Sequence, residues 1–150
     1  TTVVAAGNDG VDACGSSPAR AVNAITVGAT NTADERTVWS NYGTCVDIFA
    51  PGAKFYATIP NNKYKYEQGT SMAAPNAAGV AALIRSYYPQ LTASQVKHIL
   101  MDSGVALPSS VNVGEEKTQI PFNNTCVSGK IVNAYNAILM ADQMSRTAKK

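Results

Sequence analysis

The chain has 150 residues, enough to bury a core of its own, and 45% of them are hydrophobic, an ordinary share for a globular domain. Twelve basic against ten acidic residues leave a formal charge of +2, too small to argue for nucleic acid or an anionic membrane as partner. Every apolar run is broken by Gly, Pro or a charge before it is long enough to span a bilayer, and the chain opens inside an apolar stretch, Thr1-Thr2-Val3-Val4, as if cut from a longer one.

In chain order, Val3 to Ala6 is a short continuous apolar run bounded by Gly and Asn, the pattern of a parallel strand buried on both faces. Asn8 to Asn23 is polar and rich in small residues and reads as a loop, followed by a second buried strand from Ala24 to Ala29. Asn31 to Arg36 reads as a charged turn and Trp39 to Tyr42 as a short surface stretch. Cys45 to Phe49 is a third strand, halted by Ala50-Pro51-Gly52, and Lys54 to Ile59 alternates as an outer strand before Asn61-Asn62 turns the chain back. From Ser71 the period changes: Ala73, Ala77, Val80, Ala81 and Ile84 recur at three- and four-residue steps, which predicts a buried helix to Tyr88 with Pro75 in its first turn. Thr92 and Gln95 form a capping-box pattern for a helix to Asp102, stopped by Gly104. Val105 to Lys130 shows no clear period, Asn133 to Met144 is a final amphipathic helix, and Lys149-Lys150 reads as a solvated tail. Strands followed by helices imply an α/β fold with a mostly parallel sheet flanked by helices.

Two runs carry the chemistry. Gly69-Thr70-Ser71-Met72-Ala73-Ala74-Pro75 sets a serine between a tight Gly turn and the first turn of a helix, where the dipole favours a developing oxyanion. Ala5-Ala6-Gly7-Asn8 ends a buried strand on an amide side chain, 63 residues before Ser71. Asn8 reads either as a left-handed turn residue or as a second donor, with the Ser71 N–H, to a tetrahedral oxyanion. A serine hydroxyl needs a base and an orienting carboxylate. His98, the one histidine, falls late in the capped helix and reads as a partly exposed helix residue.

Both runs and their spacing resemble the serine and oxyanion-hole motifs of the subtilisin-like serine proteases, the subtilases, in their proteinase K and aqualysin branch. Residues 1–89 match closely, 90–104 and 129–141 more loosely, and 105–128 hardly at all. The resemblance implies a three-layer subtilisin-like fold, of which residues 1–150 are the C-terminal part of one catalytic domain. The triad Asp and His would precede Ser71. None of Asp9, Asp12, Asp34 and Asp47 has the triad aspartate's context, so the triad base and carboxylate are expected upstream. The isolated chain is expected to be inactive and poorly folded, with an unpaired apolar edge at Val3.

By the same resemblance Ser71 and Asn8 are the catalytic residues, and Ala5, Ala6 and Gly7 form one wall of the pocket for the residue before the scissile bond. Asp47, with the carbonyls of Val22 and Ala24, corresponds to a structural Ca²⁺ site; the plain alternative is a surface aspartate. Cys14 and Cys45 match a family disulfide, which implies secretion, whereas in an intracellular enzyme they would be buried thiols; Cys126 is left over. Asn76 stands where many relatives carry His. Asn123-Asn124-Thr125 is a glycosylation triplet of a kind common by chance. The expected partners are protein or peptide substrates of an enzyme that is monomeric at full length. A catalytically inactive subtilase-derived binding or scaffold module is the other reading.

Overall fold

The computed structural model describes residues 1–114 and 116–147; the Lys149-Lys150 tail lies outside the described residues. Strands β1 (Val3–Ala5), β2 (Ile25–Thr30) and β3 (Ile48–Pro51) lie side by side and parallel, with Val3 opposite Ile25 and Val27 opposite Ile48. The third strand thus starts later than Cys45 and runs through Ala50 and Pro51, because the pairing of Thr30 with Pro51 carries the ladder past the expected turn. Beyond β3 come two short strands whose numbers follow their place in the chain.

Strands β4 (Phe55–Ile59) and β5 (Lys63–Glu67) form a separate antiparallel hairpin. Asn61 and Asn62 both take positive φ at its turn, a conformation Asn tolerates. The hairpin leaves Tyr56, Tyr64 and Tyr66 exposed, with Tyr56 stacked on Tyr64 and tilted against Tyr66. Helix α1 (Thr70–Tyr87) packs against β1, β2 and β3, and helix α2 (Ala93–Ser103) packs on it. Strand β6 (Val105–Ala106) leads to the hairpin β7 (Ser110–Val113) and β8 (Thr118–Pro121), then to β9 (Lys130–Ile131) and helix α3 (Ala134–Thr147). The main sheet has the order β1-β2-β3-β9-β6, parallel except for β6.

The α/β class and the mostly parallel sheet agree with expectation, but all three helices join one core on one side. Ile25, Val27, Ala29, Ile48 and Ala50 meet Ala73, Ala77, Ala81 and Ile84 of α1, with Val96, Ile99 and Leu100 of α2 and Ala137 and Ala141 of α3 completing the cluster. Small residues at four-residue spacing on α1 let its backbone come close to the sheet. The α2 capping box forms as its sequence predicts, with Thr92 Oγ1 accepting from the Gln95 N–H (3.2 Å) and Gln95 Oε1 from the Thr92 N–H (2.8 Å). α1 begins one residue earlier than expected, so Pro75 lies in its second turn, where it offers no N–H to the carbonyl of Ser71.

A second core cluster joins Ala6, Ala13, Ala19, Val46, Phe49, Phe122, Cys126 and Ile131 beneath the loops. Burial pushes the Cys126 thiol up from its ordinary pKa, against weaker hydrogen bonds that favour the thiolate. The thiolate fraction is therefore small, and in the native protein Cys126 resists a thiol reagent at pH 8 while reacting readily in guanidinium. The folded state keeps a proton that the unfolded chain releases, so this group's contribution to stability falls as pH rises through the ordinary thiol range. An alkaline melting series on a Cys126→Ser variant, in which that fall is absent, checks the sign.

Trp39 to Tyr42 is not a surface stretch. Ser40 and Asn41 are completely buried and Trp39 and Tyr42 half-buried. Arg36 is also buried rather than part of a solvated turn. Its guanidinium donates from Nη1 to the Asn112 carbonyl (2.9 Å) and from Nη2 to the Ser40 carbonyl, and it stacks over the Tyr42 ring (4.9 Å). Arg36 so ties the β7–β8 hairpin to the Ser40 loop, and desolvation by burial lowers its pKa, against a smaller opposing effect of Tyr42.

Candidate active site

Asn8 lies three residues beyond the end of β1, and α1 begins opposite it. Its side-chain oxygen accepts two hydrogen bonds from Thr70, one from the backbone N–H and one from the hydroxyl, each 2.9 Å. The Thr70 hydroxyl in turn accepts from the Gly7 N–H (3.1 Å). A backbone N–H can bond only to an acceptor, so the Thr70 contact fixes which end of the Asn8 amide is oxygen and leaves the NH2 end free.

That NH2 end faces a space kept open by Gly69. A Cβ on Gly69 would lie 3.5 Å from Asn8 Nδ2 and 3.7 Å from both the backbone N of Ser71 and Met72 Sδ, so two donors and a thioether border the volume a side chain would fill. Gly69 also has φ of 149°, which favours glycine. At the helix start the Thr70 N–H goes to Asn8, and the Met72 and Ala73 N–H groups to the Gly69 carbonyl. The Ser71 N–H has no acceptor among the described residues, and Ser71 itself is exposed.

The donor loop is clamped by a residue that local sequence gives no reason to select. Asn41 Oδ1 accepts from the N–H groups of Asp9 (3.0 Å) and Val11 (3.1 Å), and its Nδ2 donates to the Ala6 carbonyl (3.0 Å). Its own backbone N–H donates to the Gly7 carbonyl (2.9 Å). The amide presses so closely on Gly7 that a Cβ there would stand 2.3 Å from Asn41 Nδ2. Further along the same loop the Cys14–Cys45 disulfide implied by the family resemblance is formed.

Of the expected pocket wall, Ala5 and Gly7 are half-buried, whereas Ala6 is fully buried in the second core. Ala6, the first residue past β1, carries its methyl to the face opposite that of Ala5. The Ala6 and Gly7 N–H and carbonyl groups are all bonded within the chain, so these two residues offer the wall shape rather than hydrogen bonds.

The structure does not bring His98 to Ser71. The ring is exposed on α2, and its Nδ1 lies 2.8 Å from the Ser94 carbonyl of its own helix, which requires a proton on Nδ1. Asp12 caps a short turn through the Cys14 N–H, and Asp9 and Asp34 are exposed; none bonds to His98 or Ser71. Asn76 Nδ2 donates to the carbonyls of Pro51 and Met72, both 3.0 Å, tying the start of α1 to the end of β3.

The expected calcium set is assembled but does not fit the metal. Asp47 and the carbonyls of Val22 and Ala24 converge, and at their centre is the ammonium of Lys97. Calcium takes six to eight oxygens, waters among them; Asp47 and the two carbonyls supply four at most, and three of those four are already in contact with the Lys97 ammonium. Among the described residues no group of three or more His, Cys, Asp or Glu side chains could hold a metal ion.

A family model described as the subtilase family matches residues 1–129. The chain is 50% identical over 106 residues to the extracellular serine proteinase of a Thermus species, an alignment covering 67% of this chain and 25% of that protein. It is 44% identical over 99 residues to alkaline serine exoprotease A of Vibrio alginolyticus, covering 66% of this chain and 18% of the relative. The solved structure of a cold-adapted subtilisin-like serine proteinase superposes with a TM-score of 0.69 at 38% identity, over 83% of this chain and 43% of that one. The chain thus spans about a quarter or less of the length of these curated relatives. Matched over most of its length by sequence and by fold, it belongs to the subtilase family of serine proteases.

Proposed function

We propose that this chain carries the nucleophile and the oxyanion hole of a secreted subtilisin-like endopeptidase acting on protein or peptide substrates. The observation that supports this best is the convergence of Asn8 Nδ2 and the Ser71 N–H on the space beside Gly69. In this reading Ser71 Oγ attacks the scissile carbonyl carbon and passes its proton to a general base. The carbonyl oxygen becomes an alkoxide held by the two donors and by the positive end of α1. Collapse of the tetrahedral species expels the amine, which takes up the proton, and water then hydrolyses the acyl-enzyme through a second such species.

No histidine among the described residues reaches Ser71, so the reading takes the base and its carboxylate from elsewhere in the full-length, monomeric protein. The 150 residues alone are then inactive. Ala5 and Gly7 line one side of the pocket and Ala6 supports them from the core. Secretion is supported by the Cys14–Cys45 bond and by the extracellular name of the Thermus relative. No helix among the described residues is long and apolar enough to cross a membrane.

A serine-directed fluorophosphonate applied to the full-length protein separates this reading from an inactive scaffold. Stoichiometric labelling that maps by mass spectrometry to the peptide containing Ser71 is the expected result. A protein that takes no label, or takes it elsewhere, is not the enzyme described.

A further inference from the structure

Lys97 on α2 reaches the loop that leads into β2 and ends among three oxygens. Its Nζ lies 2.6 Å from the Ala24 carbonyl, 3.1 Å from the Val22 carbonyl and 2.9 Å from Asp47 Oδ2. An ammonium has three N–H donors, and here each has one acceptor. The two side chains are only 19% and 11% exposed, so the pair is shielded from solvent rather than lying on an open surface.

Asp47 is held from the other side as well. Its Oδ2 also accepts from the Thr26 N–H (2.8 Å), its backbone N–H donates to the Thr26 carbonyl (2.9 Å), and its carbonyl accepts from Ser128 (3.0 Å). The carboxylate is thus a fixed part of the sheet margin, and Lys97 links it to the loop before β2 and to α2.

We propose that the Lys97 ammonium is the resident cation of this site, doing the work that a divalent metal would do on the same three oxygens. It neutralises Asp47, satisfies two carbonyls of the Val22–Ala24 loop, and fixes that loop against α2 with no metal. A calcium ion bonded to the same oxygens would have to displace the ammonium, since both positive charges cannot share one set of three ligands. The consequence is a loop whose stability does not depend on calcium supply or on chelators.

Two measurements on the full-length protein test this. Calcium bound per molecule is counted for the wild type and for Asp47→Asn, with an unchanged number expected. Melting is followed in EDTA for the wild type and for Lys97→Met, which keeps length and removes charge; a fall in Tm of about 5 °C is expected from loss of a shielded ion pair. Loss of one calcium equivalent in Asp47→Asn overturns the proposal. So does a Lys97→Met protein that melts in EDTA with the wild type.

Discussion

Asn8→Ala in the full-length protein lowers kcat by about 10²–10³-fold, equivalent to about 2.7–4 kcal/mol of transition-state stabilisation, a magnitude carried over from the same donor in subtilisin, the reference case for this effect. The geometry explains why the loss should fall on kcat and leave KM nearly unchanged. Asn8 Nδ2 faces the space beside Gly69, where the oxygen of a tetrahedral intermediate would sit, while the other end of the amide is occupied by Thr70. A donor that meets its partner only as charge develops stabilises the transition state and not the bound substrate. The substitution also deletes the acceptor of two hydrogen bonds from the buried Thr70, so Tm should fall by a few degrees as well, and kcat is compared below the melting range of both proteins. Steady-state kinetics on a peptide substrate decide the matter, and a variant that retains wild-type kcat removes Asn8 from the oxyanion hole.

Asn41→Ala has the larger effect on stability. It deletes an acceptor shared by two backbone N–H groups and the donor to the Ala6 carbonyl, at a residue with no solvent exposure. The Ala6 carbonyl is buried, whereas Asp9 and Val11 are exposed residues whose N–H groups water can reach, so at about 1–3 kcal/mol for a buried group left unpaired the sum is on the order of 2–4 kcal/mol. In a protein of this family's size that corresponds to a drop in Tm of roughly 10 °C. Asn41→Asp separates packing from hydrogen bonding. It keeps an acceptor for Asp9 and Val11 but sets a carboxylate oxygen against the Ala6 carbonyl, and it should do no better than alanine. Because Asn41 holds the strand end that bears Asn8, kcat should fall with it while KM changes little. A variant that loses stability but keeps full kcat would leave Asn41 a purely structural residue.

The legible parts of this fold are those in which neighbouring residues share one environment. α1 is readable because Ala73, Ala77, Ala81 and Ile84 all face one core, and α2 because its cap is written in four consecutive positions. β5 carries a Lys-Tyr alternation over Lys63, Tyr64, Lys65 and Tyr66, but all four are exposed, so the pattern marks no buried face and the segment passes for a charged turn. β6 and β9 have two residues each, too few for any period, and exist because they find each other across the chain.

The same division runs through the site. Asn8 and Ser71 stand in contiguous motifs, while the roles of Thr70 and Asn41 lie in hydrogen bonds to residues about 60 and 30 positions away. Nothing local distinguishes Asn41 from any other polar residue of a loop. Lys97 is hidden for a related reason. A lysine in an amphipathic helix reads as solvated face, and only the tertiary structure delivers Val22, Ala24 and Asp47 to its ammonium.

The Cys14–Cys45 bond closes a loop that contains Asn41, yet none of the hydrogen bonds that aim Asn8 passes through either sulfur. By the chain-entropy model a loop of 31 residues is worth about 3–4 kcal/mol, drawn from the unfolded ensemble rather than from the geometry of the folded site. Two ties in one short segment therefore act on opposite ends of the folding equilibrium: the Asn41 clamp lowers the free energy of the folded state, and the sulfur bridge raises that of the unfolded ensemble. A chain among proteases is cut at the moments it opens, and both ties make those moments rarer.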